Sequence, residues 1–206
     1  SGEDVELAEL IGLLHDIGRF EQIRRFHSFE PGTMDHAVYG AELLFGKEQM
    51  IRRFVKEDSF DRLIETAIAK HSDFRLEGIT DERTLLHARL IRDADKLDNC
   101  RVKLEESMET LLDMDEETVG ASEISPNVWA SCLTEESVLS ADRVTGMDYW
   151  MSYLALYFDI NFPETYQIIR ENNYIDRIAA RVSYSREDTK EKVAHLVAAL
   201  HKRMKD

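Results

Sequence analysis

The chain has 206 residues, 43% of them hydrophobic, which is enough to build a sizeable core in one domain or one domain with an extension. Its 41 acidic residues against 26 basic ones give a net charge of -15, a sign that repels polynucleotide backbones and anionic lipid and argues against long nucleic acid or a membrane as partner. Two widely spaced cysteines, Cys100 and Cys132, make no disulfide framework, no run approaches 18 apolar residues and no leader precedes a cleavage site, so a cytoplasmic protein is expected.

Ser1 is a cap-type residue, and Leu7, Leu10, Ile11 and Leu14 recur at the spacing of one helix face. His15 and Asp16 end that stripe just before Gly18, where a left-handed helix stop is expected. Arg19, Arg24 and Arg25 follow, and then the segment Arg25–Gly32, which contains His27 and reads as a connector rather than a lid. A second helix carries His36, Tyr39, Gly40, Leu43 and Leu44 on one face, and a third repeats the spacing with Ile64, Ala67, Ile68 and His71. In a long fourth helix Leu86, Leu90, Ala94 and Leu97 form the apolar stripe, with Asp95 and Asp98 on its border.

Breakers then fall at Gly120 and Ser125-Pro126, and the acidic run Asp113–Glu117 reads as a solvated turn. Met147, Trp150, Met151, Leu154 and Phe158 form another stripe, ended by Asn161-Phe162-Pro163. Ile175, Ile178, Ala179 and Val182 form one more, and Ser185 is the expected cap of a last helix whose stripe is Val193, Leu196, Val197, Leu200 and Met204. No strand-like alternation of useful length and no repeat interrupts this order, so the fold class is all-α.

The chemical signal lies in what shares the apolar stripes. An inward-facing histidine at a helix end is most often a hydrogen-bonded core residue, and a helical Asp is most often solvated or a cap. Four helices that each present His or Asp from the apolar side are harder to explain separately. Imidazole and carboxylate are ligands of divalent metals, and a shared metal partners all of them at once.

His15-Asp16-Ile17-Gly18 resembles the HDIG signature of the HD-domain superfamily, an all-helical class of metal-dependent phosphohydrolases, and Arg92-Asp93-Ala94-Asp95-Lys96-Leu97-Asp98 is similar to the later helix that carries the family's final Asp. Asp35–Gly40 and Ala69-Lys70-His71 match the two additional histidines of binuclear members, so the resemblance spans about residues 3 to 100. It implies that His15 and Asp95 bind one metal, that His36 and His71 bind a second, and that Asp16 bridges two divalent ions drawn from Fe, Mn, Co, Ni, Zn or Mg. The family pattern opens with a further His on a preceding helix; no His precedes His15, so a first helix before Ser1 is expected and the first metal is one ligand short. The implied organisation is an HD-domain helical bundle over 1–112 with a C-terminal helical extension over 113–206. That extension is expected to pack on the core as one structural unit, with a homodimer as the lesser alternative.

Arg19 follows the signature directly, where similar proteins carry Lys or Arg, and is the first choice for a phosphate clamp; Lys70 and Lys96 are second choices. Asp16, Arg19 and Lys96 are thus the expected catalytic residues, although a solvated helix face explains any single basic residue as well. His87, His195 and His201 are read as bystanders, Asp98 as a group orienting its neighbours and Asp73 as a solvated loop residue. The implied activity is hydrolysis of a phosphoester in a small phosphorylated molecule or nucleotide. The alternatives are a catalytically reduced HD-type binding or regulatory module and a di-iron oxygenase-type HD protein. Ser72–Gly78 follows His71 without the Gly-Tyr-Pro signature of cyclic dinucleotide phosphodiesterases, which argues against that activity. Phe158–Phe162 is similar to stretches of bacterial HD proteins.

Overall fold

The structure, a computed structural model, describes residues 1–29 and 32–205. Among them are twelve α-helices, three short 3-10 turns and no strand, so the chain is all-α. It divides into two compact units, Ser1–Ala94 and Asp95–Asp206. This boundary falls earlier than the division after residue 112 that the resemblance implies.

The first unit contains α1 (Gly2–Leu14), α2 (Ile17–Phe26), α3 (His36–Phe45), a 3-10 turn at Met50–Arg53, α4 (Asp61–Ala69) and the start of α5 (Glu82–Glu105). Ser1 caps α1 as expected, in a reciprocal capping box with Asp4. Leu7, Ile11 and Leu14 are buried in an aliphatic core with Leu44, Ile64 and Ile68, so the periodicity of α1 and α4 placed their inner faces correctly.

Gly18 is not a left-handed stop. It lies inside α2, and a Cβ built on it would sit 2.0 Å from the His36 carbonyl oxygen and 3.0 Å from the Gly40 amide nitrogen. Backbone therefore packs on backbone where α2 meets α3, which only glycine permits. His27 supplies the left-handed residue instead, as the C-cap of α2 with φ 51°. Residues 30 and 31 of the expected connector lie outside the described residues.

The stripe expected on α5 is also corrected. Leu86 and Leu90 are 43% and 39% exposed, whereas Thr84, His87, Ala88, Ile91, Arg92 and Asp93 are buried. The helix turns polar side chains inward because they find partners there. Arg92 donates to the His71 and Asp73 carbonyls, and the His87 Nε2 lies 3.3 Å from Asp4 Oδ1, beside Arg83, which bridges Glu3 and Asp4.

In the second unit α5 ends at Glu105, earlier than a break at Gly120 implies. α6 (Met108–Leu112), α7 (Glu116–Ala121) and α8 (Pro126–Leu133) follow, then a turn at Ser140–Asp142, α9 (Gly146–Ala155), a turn at Leu156–Phe158, α10 (Pro163–Glu171), α11 (Tyr174–Ala179) and α12 (Glu187–Arg203). The acidic run is a double helix boundary: Asp113 is the left-handed C-cap of α6, and Asp115 caps α7 by accepting from the Thr118 amide at 2.7 Å. Gly120 lies within α7, where a Cβ would meet the Ser183 carbonyl oxygen at 2.2 Å. Ser185 does not cap α12; its amide donates to the Gly120 carbonyl, and Arg186 holds the cap position.

The stripes on α9 and α12 are buried as expected. Met147, Trp150, Met151 and Leu154 pack with Leu196 and Leu200. The start of α9 is pinned by Asp148, which is fully buried and accepts hydrogen bonds from Ser125, Val144 and Thr145. No helix among the described residues is long and apolar enough to cross a membrane.

Candidate metal centre

Four of the five expected metal ligands lie in the first unit, and the structure gathers them. His15 is the C-cap of α1, Asp16 the N-cap position of α2, His36 the first residue of α3, and His71 follows the end of α4. The four come together through the ends of four helices, with the Gly18–His36 backbone contact drawing α2 and α3 close.

The geometry centres on Asp16. Its Oδ1 lies 3.2 Å from His36 Nε2 and 3.5 Å from His71 Nε2, and its Oδ2 lies 3.7 Å from His15 Nε2. His36 Nε2 and His71 Nε2 face each other at 3.1 Å, and the His71 ring stands nearly edge-on to those of His15 and His36, each with its centroid 5.0 Å away. Ligand atoms of His15, Asp16 and His71 all lie within 4.8 Å of one another.

Backbone carbonyls fix the tautomers. His15 Nδ1 lies 2.8 Å from the Gly12 oxygen, and His71 Nδ1 lies 2.7 Å from the Ile68 oxygen. A carbonyl only accepts, so each Nδ1 carries the proton and, in the neutral ring, each Nε2 turns a bare lone pair toward Asp16. Orientation of this kind is what metal-ligating imidazoles receive from the groups behind them. Burial pushes the His36 pKa down, with Asp16 opposing, and so favours its neutral, ligating form. Burial of Asp16 opposes its ionisation, but when the rings are protonated, hydrogen bonds from His36 and His71 and the charge of His15, together with that of Arg19, outweigh it and hold the carboxyl well below the usual range. The donor set therefore fits a divalent cation: lone pairs and a carboxylate converge on one another with the protons held on the far side of two rings.

Other expected residues divide. Arg19 stands at the site, with Nε 3.4 Å from Asp16 Oδ1, its guanidinium steadied by Gln22 Oε1 at 3.0 Å and stacked 5.6 Å from the Phe29 ring centroid. Arg24 and Arg25 both pair with Glu21 instead, Lys70 pairs with Asp73, and Asp98 pairs with Arg101 on the surface. Asp95 and Lys96 belong to the second unit. There Asp95 Oδ1 lies 3.3 Å from Asn99 Nδ2, and Lys96 is buried with its ammonium 2.7 Å from Asp159 Oδ2.

Two supporting residues escaped the sequence reading. Gln22 is fully buried and joins Arg19 to Thr33, its Nε2 donating to Thr33 Oγ1 at 2.9 Å. Arg92 holds the His71 carbonyl at 3.1 Å and so fixes the backbone carrying that imidazole. A buried Arg beside an apolar stripe leaves no periodic signal, so neither was visible in one dimension.

The fold and the converging donors define an all-helical domain with a candidate metal centre. Residues 1–100 match the family described as HD domain, and this part of the chain belongs to that family. No curated protein and no solved structure compared with the chain matches it.

Proposed function

We propose that the protein is a metal-dependent phosphohydrolase that cleaves a phosphoester of a small phosphorylated molecule. The observation that carries this reading is the convergence of His15, Asp16, His36 and His71, with the Nδ1 protons of His15 and His71 held by backbone carbonyls. HD domains as a family bind divalent metals, and Asp16, whose two oxygens face different histidines, would hold metal here together with those histidines. Bound divalent ions supply a water nucleophile at neutral pH and neutralise phosphoryl charge.

The chain's own residues do the rest. Asp16 stays ionised, His15, His36 and His71 offer ring nitrogens, and Arg19 lends a fixed guanidinium at the edge of the centre, in reach of a phosphoryl oxygen. Gln22 and Phe29 limit the rotamers of Arg19, so less of its freedom is lost when it binds an anion. The net charge of -15 favours small substrates over polynucleotides.

Elemental analysis of the purified protein, followed by a panel of phosphomonoesters and nucleotides, tests the proposal. Stoichiometric metal, hydrolysis that stops on chelation and returns with Mn, Fe, Co or Zn, and loss of turnover in Asp16→Ala are expected. Metal-free protein that hydrolyses nothing in the panel would instead identify a binding or regulatory module.

A further inference from the structure

The second unit holds two cations, Lys103 and Arg143, that have no carboxylate within ion-pair distance among the described residues. Three Lys and Arg residues of the described chain are buried: Arg92 is held by carbonyls, Lys96 by Asp159, and Lys103 by the face of a tyrosine ring, with its Nζ 3.8 Å from the Tyr153 centroid. Lys103 is 7% exposed, yet its Nζ is not among the fully enclosed unpaired polar atoms of the described residues, so part of that small exposure falls on the ammonium.

A second cation sits one helical turn away. Tyr149 and Tyr153 are four residues apart on α9, hence neighbours on one face, and the Arg143 guanidinium stands 4.7 Å from the Tyr149 centroid. Among the described residues the Arg143 guanidinium makes no ion pair, and its side chain's one hydrogen bond is a long one, 3.4 Å, from Nε to the Ser140 carbonyl. Two cations on adjacent rings repel each other, and buried charges are ordinarily paired. Burial, more than this repulsion, pushes the Lys103 ammonium down to about 8, with Asp95 opposing and Arg143 adding to the fall.

We infer that Lys103 and Arg143, backed by Tyr149 and Tyr153, form an oxyanion site of the second unit that takes a phosphate group. A tetrahedral oxyanion seated between an ammonium and a guanidinium supplies the missing counter-charge to both, and Arg offers it two parallel donors. Each tyrosine face holds one of the two cations in place before the anion arrives. In a chain this acidic, such a site stands out against its surroundings. It uses no residue of the metal centre.

Titration of inorganic phosphate, followed by calorimetry and by 31P NMR, tests the inference on the purified chain and on Asp16→Ala. Phosphate binding that survives in Asp16→Ala, weakens at least tenfold in Lys103→Met and in Arg143→Gln, and stays within about threefold in Lys103→Arg is the expected result. Lys103→Met keeps the aliphatic stem and removes a buried charge, so the variant should fold, and circular dichroism checks that it does. Affinity unchanged in both Lys103→Met and Arg143→Gln, or equal competition by acetate, overturns the site. Phosphate binding that is abolished by Asp16→Ala alone also overturns it, by assigning the anion to the metal centre; failure of hydrolysis with binding intact leaves this site standing.

Discussion

The two units fill their interiors with different chemistry. In residues 1–94 the buried apolar residues are aliphatic, and the same interior encloses His36, His71, His87, Arg92, Asp93 and Gln22. In residues 95–206 the core adds aromatic and sulfur side chains to its aliphatic ones, Trp150, Tyr157, Phe158, Met147 and Met151 among them, and its buried acid Asp148 caps α9 and holds Ser125. Rings and thioethers bury large areas and fill irregular gaps, which makes the second core a source of stability. Polar groups in the first interior stabilise little in net terms and instead fix directions: each carbonyl behind an imidazole decides which nitrogen faces Asp16.

Damage to the first interior is therefore expected to remove activity, and damage to the second to remove stability. The largest effect is expected from Asp16→Ala, which should lower phosphoester hydrolysis by about 1000-fold or more, the scale of deleting a group that acts as part of a catalytic unit, while thermal unfolding shifts little. An unaltered rate would break the comparison at its root. Next, Trp150→Ala should cost about 3–5 kcal/mol in denaturant unfolding, since the indole is fully buried.

The two closely approached glycines give a matched pair. Gly18→Ala and Gly120→Ala each drive a Cβ into a backbone carbonyl, at 2.0 and 2.2 Å, and each should destabilise by about 1–3 kcal/mol or more. Only Gly18→Ala should also lower metal content, because its contact carries His36; equal metal loss in both would erase the distinction.

Lys103→Met sharpens the picture of the second unit. The folded ammonium titrates near 8 against 10.5 when unperturbed, so the unfolded chain holds that proton more tightly. Wild-type stability from this group therefore rises as pH climbs from about 8 to about 10.5. Lys103→Met should be the more stable chain at pH 7, by at most about 3 kcal/mol, with its advantage fading across that window in phosphate-free buffer. The smallest effect belongs to Leu90→Gln: with 39% of the residue exposed, the change should stay within about 0.5 kcal/mol, whereas a fully buried stripe position would show several times that.

The prediction for Leu90 marks where one-dimensional reading failed. Period 3.6 correctly located the inner faces of α1, α4, α9 and α12, because there the apolar letters alone define the buried side. On α5 the buried side is polar, and leucines at regular spacing misled. Glycines were read as punctuation when two of them, Gly18 and Gly120, are points of backbone contact inside helices. Nothing in a string of letters distinguishes a glycine needed for its own torsion angles from one needed to leave room for a neighbour.

Residue type and helical period were sufficient, without coordinates, to assign an all-α chain and to single out, beside Asp95, the residues His15, Asp16, His36 and His71, because ligand chemistry and face periodicity are both local properties. Folding in three dimensions alone decided that these four meet, that carbonyls of Gly12 and Ile68 select their tautomers, that Arg24 and Arg25 are consumed by Glu21 while Arg19 stays at the centre, and that Lys103 and Arg143 stand on neighbouring rings. Each of those outcomes depends on distances between residues remote in the chain, and such distances are fixed by packing rather than by the order of the residues.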